Sequence, residues 1–200
     1  MVIKVKSIEE LAQTARELKQ KGMTDKDIAT EMHLSLNTVI WLLSGESRME
    51  KSQADVKIGW RSIGVYSSRI YNISEIMADI IEEESQRLEK DVQTVVGITI
   101  NGIPYATFIS DILGVELGVY RPITLKGEGT FSSNYAKVAG KNLVFVDDVV
   151  STGETVSKAI NAARKEKGNP ILVVVLTNKT DKDEVDGVPL RALIRARLIK

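Results

Sequence analysis

Two aspartates stand side by side at Asp147 and Asp148, directly after the apolar run Leu143 to Val146. Two apolar residues later come Ser151, Thr152, Gly153, Glu154 and Thr155. Residue types in that order suit an anionic, hydroxylated ligand. The apolar run reads as a buried strand, and Thr152 onward reads as the start of a helix. Backbone N–H groups at a helix N-terminus lack internal partners and carry a partial positive charge, so a phosphate placed there meets ready donors. The hydroxyls of Ser151, Thr152 and Thr155 add to them, and Gly153 lets the backbone come close. Carboxylates at the C-terminal end of a strand lie where open α/β sheets bind ligands. Asp147 and Asp148 are therefore expected to bond ribose hydroxyls and, through water, to hold Mg²⁺. A Walker-type loop is excluded, because no Gly-Lys-Ser/Thr follows the strand.

The elements that must hold these residues fall into two blocks. In the first, Ser7 caps a helix and Glu10 completes a capping box; Ile8, Leu11, Ala12, Ala15 and Leu18 recur at helical spacing until Gly22. Thr24 or Asp25 caps a second helix carrying Ile28, Ala29 and Met32. Leu34 and Ser35 make a turn, and a third helix runs through Val39, Ile40, Leu42 and Leu43 to Gly45. The expected domains are residues 1–45, a small polar linker at 46–55, and 56–200.

In the second block Ser74 to Asp91 reads as a long amphipathic helix and Thr94 to Ile100 as a buried strand. Ile103 to Leu113 reads as a helix with Pro104 in its first turn, and Val115 to Tyr120 as a strand. Lys126 to Asn134 is a Gly- and Ser-rich loop, Leu143 to Val146 a strand, Thr152 to Lys167 a helix and Ile171 to Thr177 a strand. Strands that are apolar throughout and alternate with helices imply an α/β domain with a parallel sheet covered on both faces.

The segment Leu143 to Thr155 resembles the phosphoribosyl pyrophosphate (PRPP) motif of type I phosphoribosyltransferases, which has a strand, an acidic pair and a Ser/Thr-Thr-Gly loop in this order. Val96 to Pro104 resembles the pyrophosphate loop of the orotate branch, and places Thr99, Ile100, Asn101 and Gly102 against the ligand. Asn101 stands where the branch has a glycine, and is expected to adopt the left-handed backbone that turn requires. In the same branch an Arg-Lys pair leads into a mobile loop carrying Lys and His. This sequence keeps Arg121, has Lys126 one place late, puts Pro122 in place of the lysine, and has no histidine after His33. If the domain is catalytic, Arg121 and Lys126 would serve the leaving pyrophosphate. Losing one preorganised charge contact lowers a rate by ~10²–10³, so binding is expected to outlast turnover.

The spacing Thr24-x-x-Asp-Ile-Ala-x-x-Met-x-Leu-Ser-x-x-Thr-Val39 looks like a helix-turn-helix. Ser35, Leu36, Asn37, Thr38 and Trp41 are then the residues for double-stranded DNA, with Asn suited to adenine and hydroxyls to phosphate. Trp41 is more often a core residue than a base contact. His33 covers the turn and is assigned no chemistry. The charge pattern is not that of a strongly basic binder. Lys+Arg and Asp+Glu are both 27 over the whole chain, and the first 55 residues hold eight basic and nine acidic side chains. With no cysteine and one histidine, disulfides, thiolate catalysis and His-rich metal sites are excluded. No apolar run reaches the ~18 residues of a membrane helix, and a cytoplasmic protein without membrane contact is expected.

A helix-turn-helix ahead of an orotate phosphoribosyltransferase-like domain with an incomplete catalytic loop resembles the archaeal GfcR-type transcription regulators. That resemblance implies a DNA-binding regulator of metabolic genes whose pocket senses PRPP, a related sugar phosphate or a nucleotide. It also implies a homodimer or higher assembly. The alternative is an active phosphoribosyltransferase acting on orotate or a purine base. A fold kept only for protein interaction is a third reading, opposed by the intact acid pair and Ser-Thr-Gly loop.

Overall fold

The computed structural model describes residues 7–32, 34–45, 56–122 and 129–197. The chain divides into two compact units, one reaching Gly59 and one spanning Trp60–Ala196.

The first unit is built from locally capped helices. In α1 (Ile8–Gln20) Ser7 Oγ accepts the Glu10 N–H at 3.2 Å, and Glu10 Oε2 accepts the Ser7 N–H at 2.9 Å. Before α2 (Asp25–Met32), Thr24 and Asp27 exchange the same pair of bonds, which makes Thr24 the cap. In α3 (Leu36–Ser44) Ser35 Oγ accepts the Thr38 N–H at 3.1 Å, and Gly45 closes the helix at φ 75°. Ala15, Ile28 and Val39 are fully buried, and Met32, Leu34, Trp41 and Leu42 pack with them. His33 and residues 46–55 lie outside the described residues.

The second unit opens with α4 (Arg61–Gly64) and α5 (Ser67–Leu88). Then follow β1 (Thr94–Ile98), α6 (Gly102–Leu113), β2 (Glu116–Arg121), β3 (Thr130–Phe131), β4 (Asn142–Val150), α7 (Glu154–Lys165), β5 (Asn169–Asn178), β6 (Glu184–Val185) and β7 (Val188–Arg195). The strands form one sheet in the order β3-β2-β1-β4-β5-β7-β6. Its five central strands are parallel, while β3 and β6 pair antiparallel at the two edges, so the sheet is mixed. Two-residue edge strands are too short to show a period of two, and for that reason they left no pattern to read.

Alternation along the pleat explains why the central strands are apolar throughout. Val95, Val144, Val146 and Val174 pack with Met77 and Ile81 of α5 and with Tyr105 and Ile109 of α6. Val96, Phe145, Val173 and Val175 pack on the other face with Val156 and Ile160 of α7. Ser74, expected at a helix start, lies inside α5, and its hydroxyl bonds the Ile70 carbonyl at 2.9 Å.

Candidate functional site

Strand β4 does not stop before the acid pair. It continues to Val150, with Asp147 opposite Val175, Val149 opposite Thr177 and Val150 opposite Asn178. The two apolar residues after the acids therefore belong to the strand, and the loop to α7 shrinks to Ser151, Thr152 and Gly153. Asp148 is 5% exposed, and its Oδ2 accepts two hydrogen bonds, from Trp60 Nε1 at 2.8 Å and from Asn101 Nδ2 at 3.1 Å. Asp147 Oδ1 accepts the backbone N–H of Asp148 at 2.9 Å. Burial, and then the neighbouring charge of Asp148, push the Asp147 carboxyl well above the usual carboxylate range.

The approach of α6 to this pair depends on one missing side chain. A Cβ on Gly102 would stand 2.2 Å from the Val146 carbonyl oxygen and 3.1 Å from Asp147 Cα. Only glycine lets the first turn of α6 rest on β4 there. Asn101 sits just ahead at φ −77° and ψ −25°, a right-handed conformation. The expected left-handed turn is thus corrected: Asn101 does not stand in for a glycine's backbone but supplies an amide to Asp148. The Thr99 N–H bonds the Tyr120 carbonyl at 2.9 Å, the Thr99–Ile100 peptide is cis, and Ile100 is exposed.

Sequence reasoning missed two aromatic residues here. Trp60 reaches Asp148 across 88 positions, and its ring centroid lies 5.8 Å from that of Tyr105. The Tyr105 hydroxyl is buried and has no hydrogen-bond partner among the described residues. Burial, and then the charge of Asp148, hold its proton well above the ordinary tyrosine range. A tryptophan directly after Gly59, ahead of Arg61, was the one sequence signal for this contact. Two arginines of the same segment, Arg61 and Arg69, are exposed. Arg69 is engaged locally, donating to the Ser62 carbonyl at 2.5 Å and lying 4.6 Å from the Tyr66 ring centroid.

At the start of α7, Gly153 takes φ 84°, and no side chain caps the helix. Thr152 Oγ1 accepts the Glu154 N–H at 3.3 Å, Glu154 pairs with Lys158 at 2.6 Å, and Ser151, Thr152 and Thr155 are exposed. A cavity of about 580 Å³ flanks this loop, between Thr152–Glu154 and the hairpin of Lys182 to Gly187. Three rim carboxylates are already matched by donors: Glu154 by Lys158, Asp183 by Arg195, and Asp186 by Ser157 Oγ at 2.6 Å and Asn161 Nδ2 at 3.0 Å. Arg121 is exposed at the end of β2, opposite Thr130. Lys126 lies outside the described residues.

Among the residues selected for DNA, Asn37 is exposed, and Ser35 and Leu36 are half-buried. Thr38 and Trp41 are buried. Thr38 is 5% exposed with its hydroxyl 2.8 Å from that of Ser35, and Trp41 is 8% exposed within the helical core. Positions three apart on a helix share a face, and this face is the one carrying Leu42 inward.

The sheet order, the strand-loop-helix at β4 and α7, and the glycine-cleared contact of α6 define a phosphoribosyltransferase-type domain. The model of the phosphoribosyl transferase domain matches residues 66–193. Among solved structures, orotate phosphoribosyltransferase from Aeropyrum pernix superposes with a TM-score of 0.58 at 20% identity, over 80% of this chain and 93% of that one. Adenine phosphoribosyltransferase from Thermoanaerobacter pseudethanolicus gives 0.57 at 19% identity, over 72% and 89%. More similar are two relatives named transcriptional regulator GfcR. That of Thermoplasma acidophilum is 54% identical over 98% of both chains. That of Picrophilus torridus is 53% identical over 98% of this chain and 100% of its own. The chain belongs to the GfcR family of transcriptional regulators. No helix among the described residues is long and apolar enough to cross a membrane.

Proposed function

We propose that the chain is a DNA-binding transcriptional regulator whose α/β unit senses PRPP or a related sugar phosphate. The observation that carries the effector reading is Asp148, buried near the end of β4, just ahead of the exposed Ser151 and Thr152. A buried carboxylate close in sequence to a helix start, where backbone N–H groups favour anions, suits a hydroxylated, phosphorylated ligand. In this reading the 5′-phosphate lies on the amides and hydroxyls of Ser151 to Thr155, with Asp147 and Asp148 at the ribose hydroxyls. The segment Thr99 to Gly102 takes the diphosphate, with Arg121 and Lys126 as its cationic partners. Among the described residues no three His, Asp or Glu side chains gather as a metal site. Mg²⁺ would therefore arrive with the ligand, held by the two carboxylates and phosphate oxygens, as small hard cations usually are.

The first unit would bind double-stranded DNA through α3, with Asn37 towards the bases and Ser35 and Leu36 beside it at the helix start. In a homodimer two such helices would read half-sites about 34 Å apart. Family membership supports the regulator role. The test is a titration of DNA from upstream of the chain's own gene, with and without Mg²⁺-PRPP. A coupling of ~1–3 kcal/mol gives a ~5–150-fold change in affinity; equal affinities would remove the sensor.

The second reading, an active phosphoribosyltransferase, is favoured by the retained Arg121. It is opposed by Pro122 and by the lack of histidine beyond His33. Turnover of PRPP and orotate near ~10 s⁻¹, an ordinary enzyme rate, would establish it and displace the first.

A further inference from the structure

Asp148 is offered to a ligand in the reading above, yet its Oδ2 is already occupied. A carboxylate oxygen has two lone-pair directions, and Trp60 Nε1 and Asn101 Nδ2 fill them at 2.8 and 3.1 Å. A sugar hydroxyl that uses this oxygen must displace one of the two. The donors are not held equally. Asn101 stands at the head of a twelve-residue helix whose next residue, Gly102, is pressed against the Val146 carbonyl. Trp60 stands ahead of a helix of only four residues, bonded to it through its carbonyl by the N–H groups of Ile63 and Gly64. Residues 56–60 form no helix or strand. Trp60 is also the residue at which the chain enters the second unit, residues up to Gly59 belonging to the first.

We propose that Trp60 is a latch: its indole occupies Asp148 until a phosphorylated sugar displaces it, and its release frees the segment that leads into the first unit. This inference rests on the effector reading and names the residue through which occupancy of the site is reported. Two details fit a ring that leaves. Gly64 lies directly beneath the indole, where a Cβ would stand 2.5 Å from Trp60 Cζ3, so the ring is seated by the absence of a side chain. The Tyr105 hydroxyl beside it is buried and unpartnered among the described residues, which leaves a donor for a ligand oxygen or water once the ring has moved.

The chain has two tryptophans, so W41F makes Trp60 the sole reporter. Full-length W41F is titrated with Mg²⁺-PRPP while indole emission and acrylamide quenching are followed. Wild type, W60F and G64A are compared by calorimetry with the same ligand. The latch predicts a red shift and increased quenching on binding. It also predicts affinities raised about tenfold in W60F, the worth of one hydrogen bond to a charged group, and raised in the same direction in G64A. Binding by W60F or G64A alone would be the same result in stronger form. PRPP heat with unchanged Trp60 emission, or with no gain in either variant, overturns the latch and leaves the effector reading standing. No heat from any of the proteins removes the effector reading, and the latch with it.

Discussion

The acid-pair site and helix α3 both carry residues marked by type and spacing, but the fold treats them differently. At β4 the marked residues meet. Asp148, Asn101 and Gly102 come from two distant stretches and touch through a strand-to-helix contact that a Cβ would block. In α3 the marked residues part: Asn37 faces out, while Thr38 and Trp41 turn into the core. A strand-loop-helix motif fixes direction along with order, because the strand end, the loop and the helix start can be joined in few ways. A run of consecutive helical residues fixes order only, since neighbours lie about 100° apart and cannot share a face.

Substitutions sharpen this contrast, beginning with the largest effect. Trp41→Ala should lower stability in urea unfolding by about 3 kcal/mol, as emptied tryptophan sites do. Trp41→Phe should keep DNA affinity within about threefold, as expected of a packing residue; loss of DNA binding with an intact fold would return Trp41 to the interface. Gly102→Ala comes next. Its Cβ would press on the Val146 carbonyl oxygen at 2.2 Å, and overpacking of this kind lowers stability by about 1–3 kcal/mol. Sugar-phosphate affinity should fall with it, because the Cβ displaces the segment Thr99 to Gly102 proposed for the diphosphate. Unchanged calorimetry would show that this contact does not shape the site. The smallest change in stability is expected at Asn37. Asn37→Ala should stay within about 0.5 kcal/mol of wild type, yet weaken operator binding by ~1–3 kcal/mol in a gel-shift titration, the worth of one bidentate base contact.

What could be read from residues alone follows the range of the interaction. The Ser7–Glu10 capping box was legible because both partners lie within one turn, and the core face of α1 because its spacing repeats. The central strands were legible in their positions though not in their ends. Nothing in Val149-Val150 marks whether an apolar pair continues a strand or starts a loop, since that depends on pairing with Thr177 and Asn178. Asp147, Asp148 and the Ser-Thr-Gly loop were legible as a motif. The Trp60–Asp148 bond was not, because contacts across 88 residues leave no local signature. Asn101 shows a subtler loss: its type suggested a backbone role, and its side chain carries the contact instead.

Both rims of the sheet end in antiparallel strands only two residues long, β3 and β6. On one side β6 covers only Val188 and Pro189 of the eight-residue β7, so the greater part of β7 faces outward with no described strand beside it. A backbone that paired there would extend the sheet in one fixed register, whereas contact through helices and loops would leave the register open.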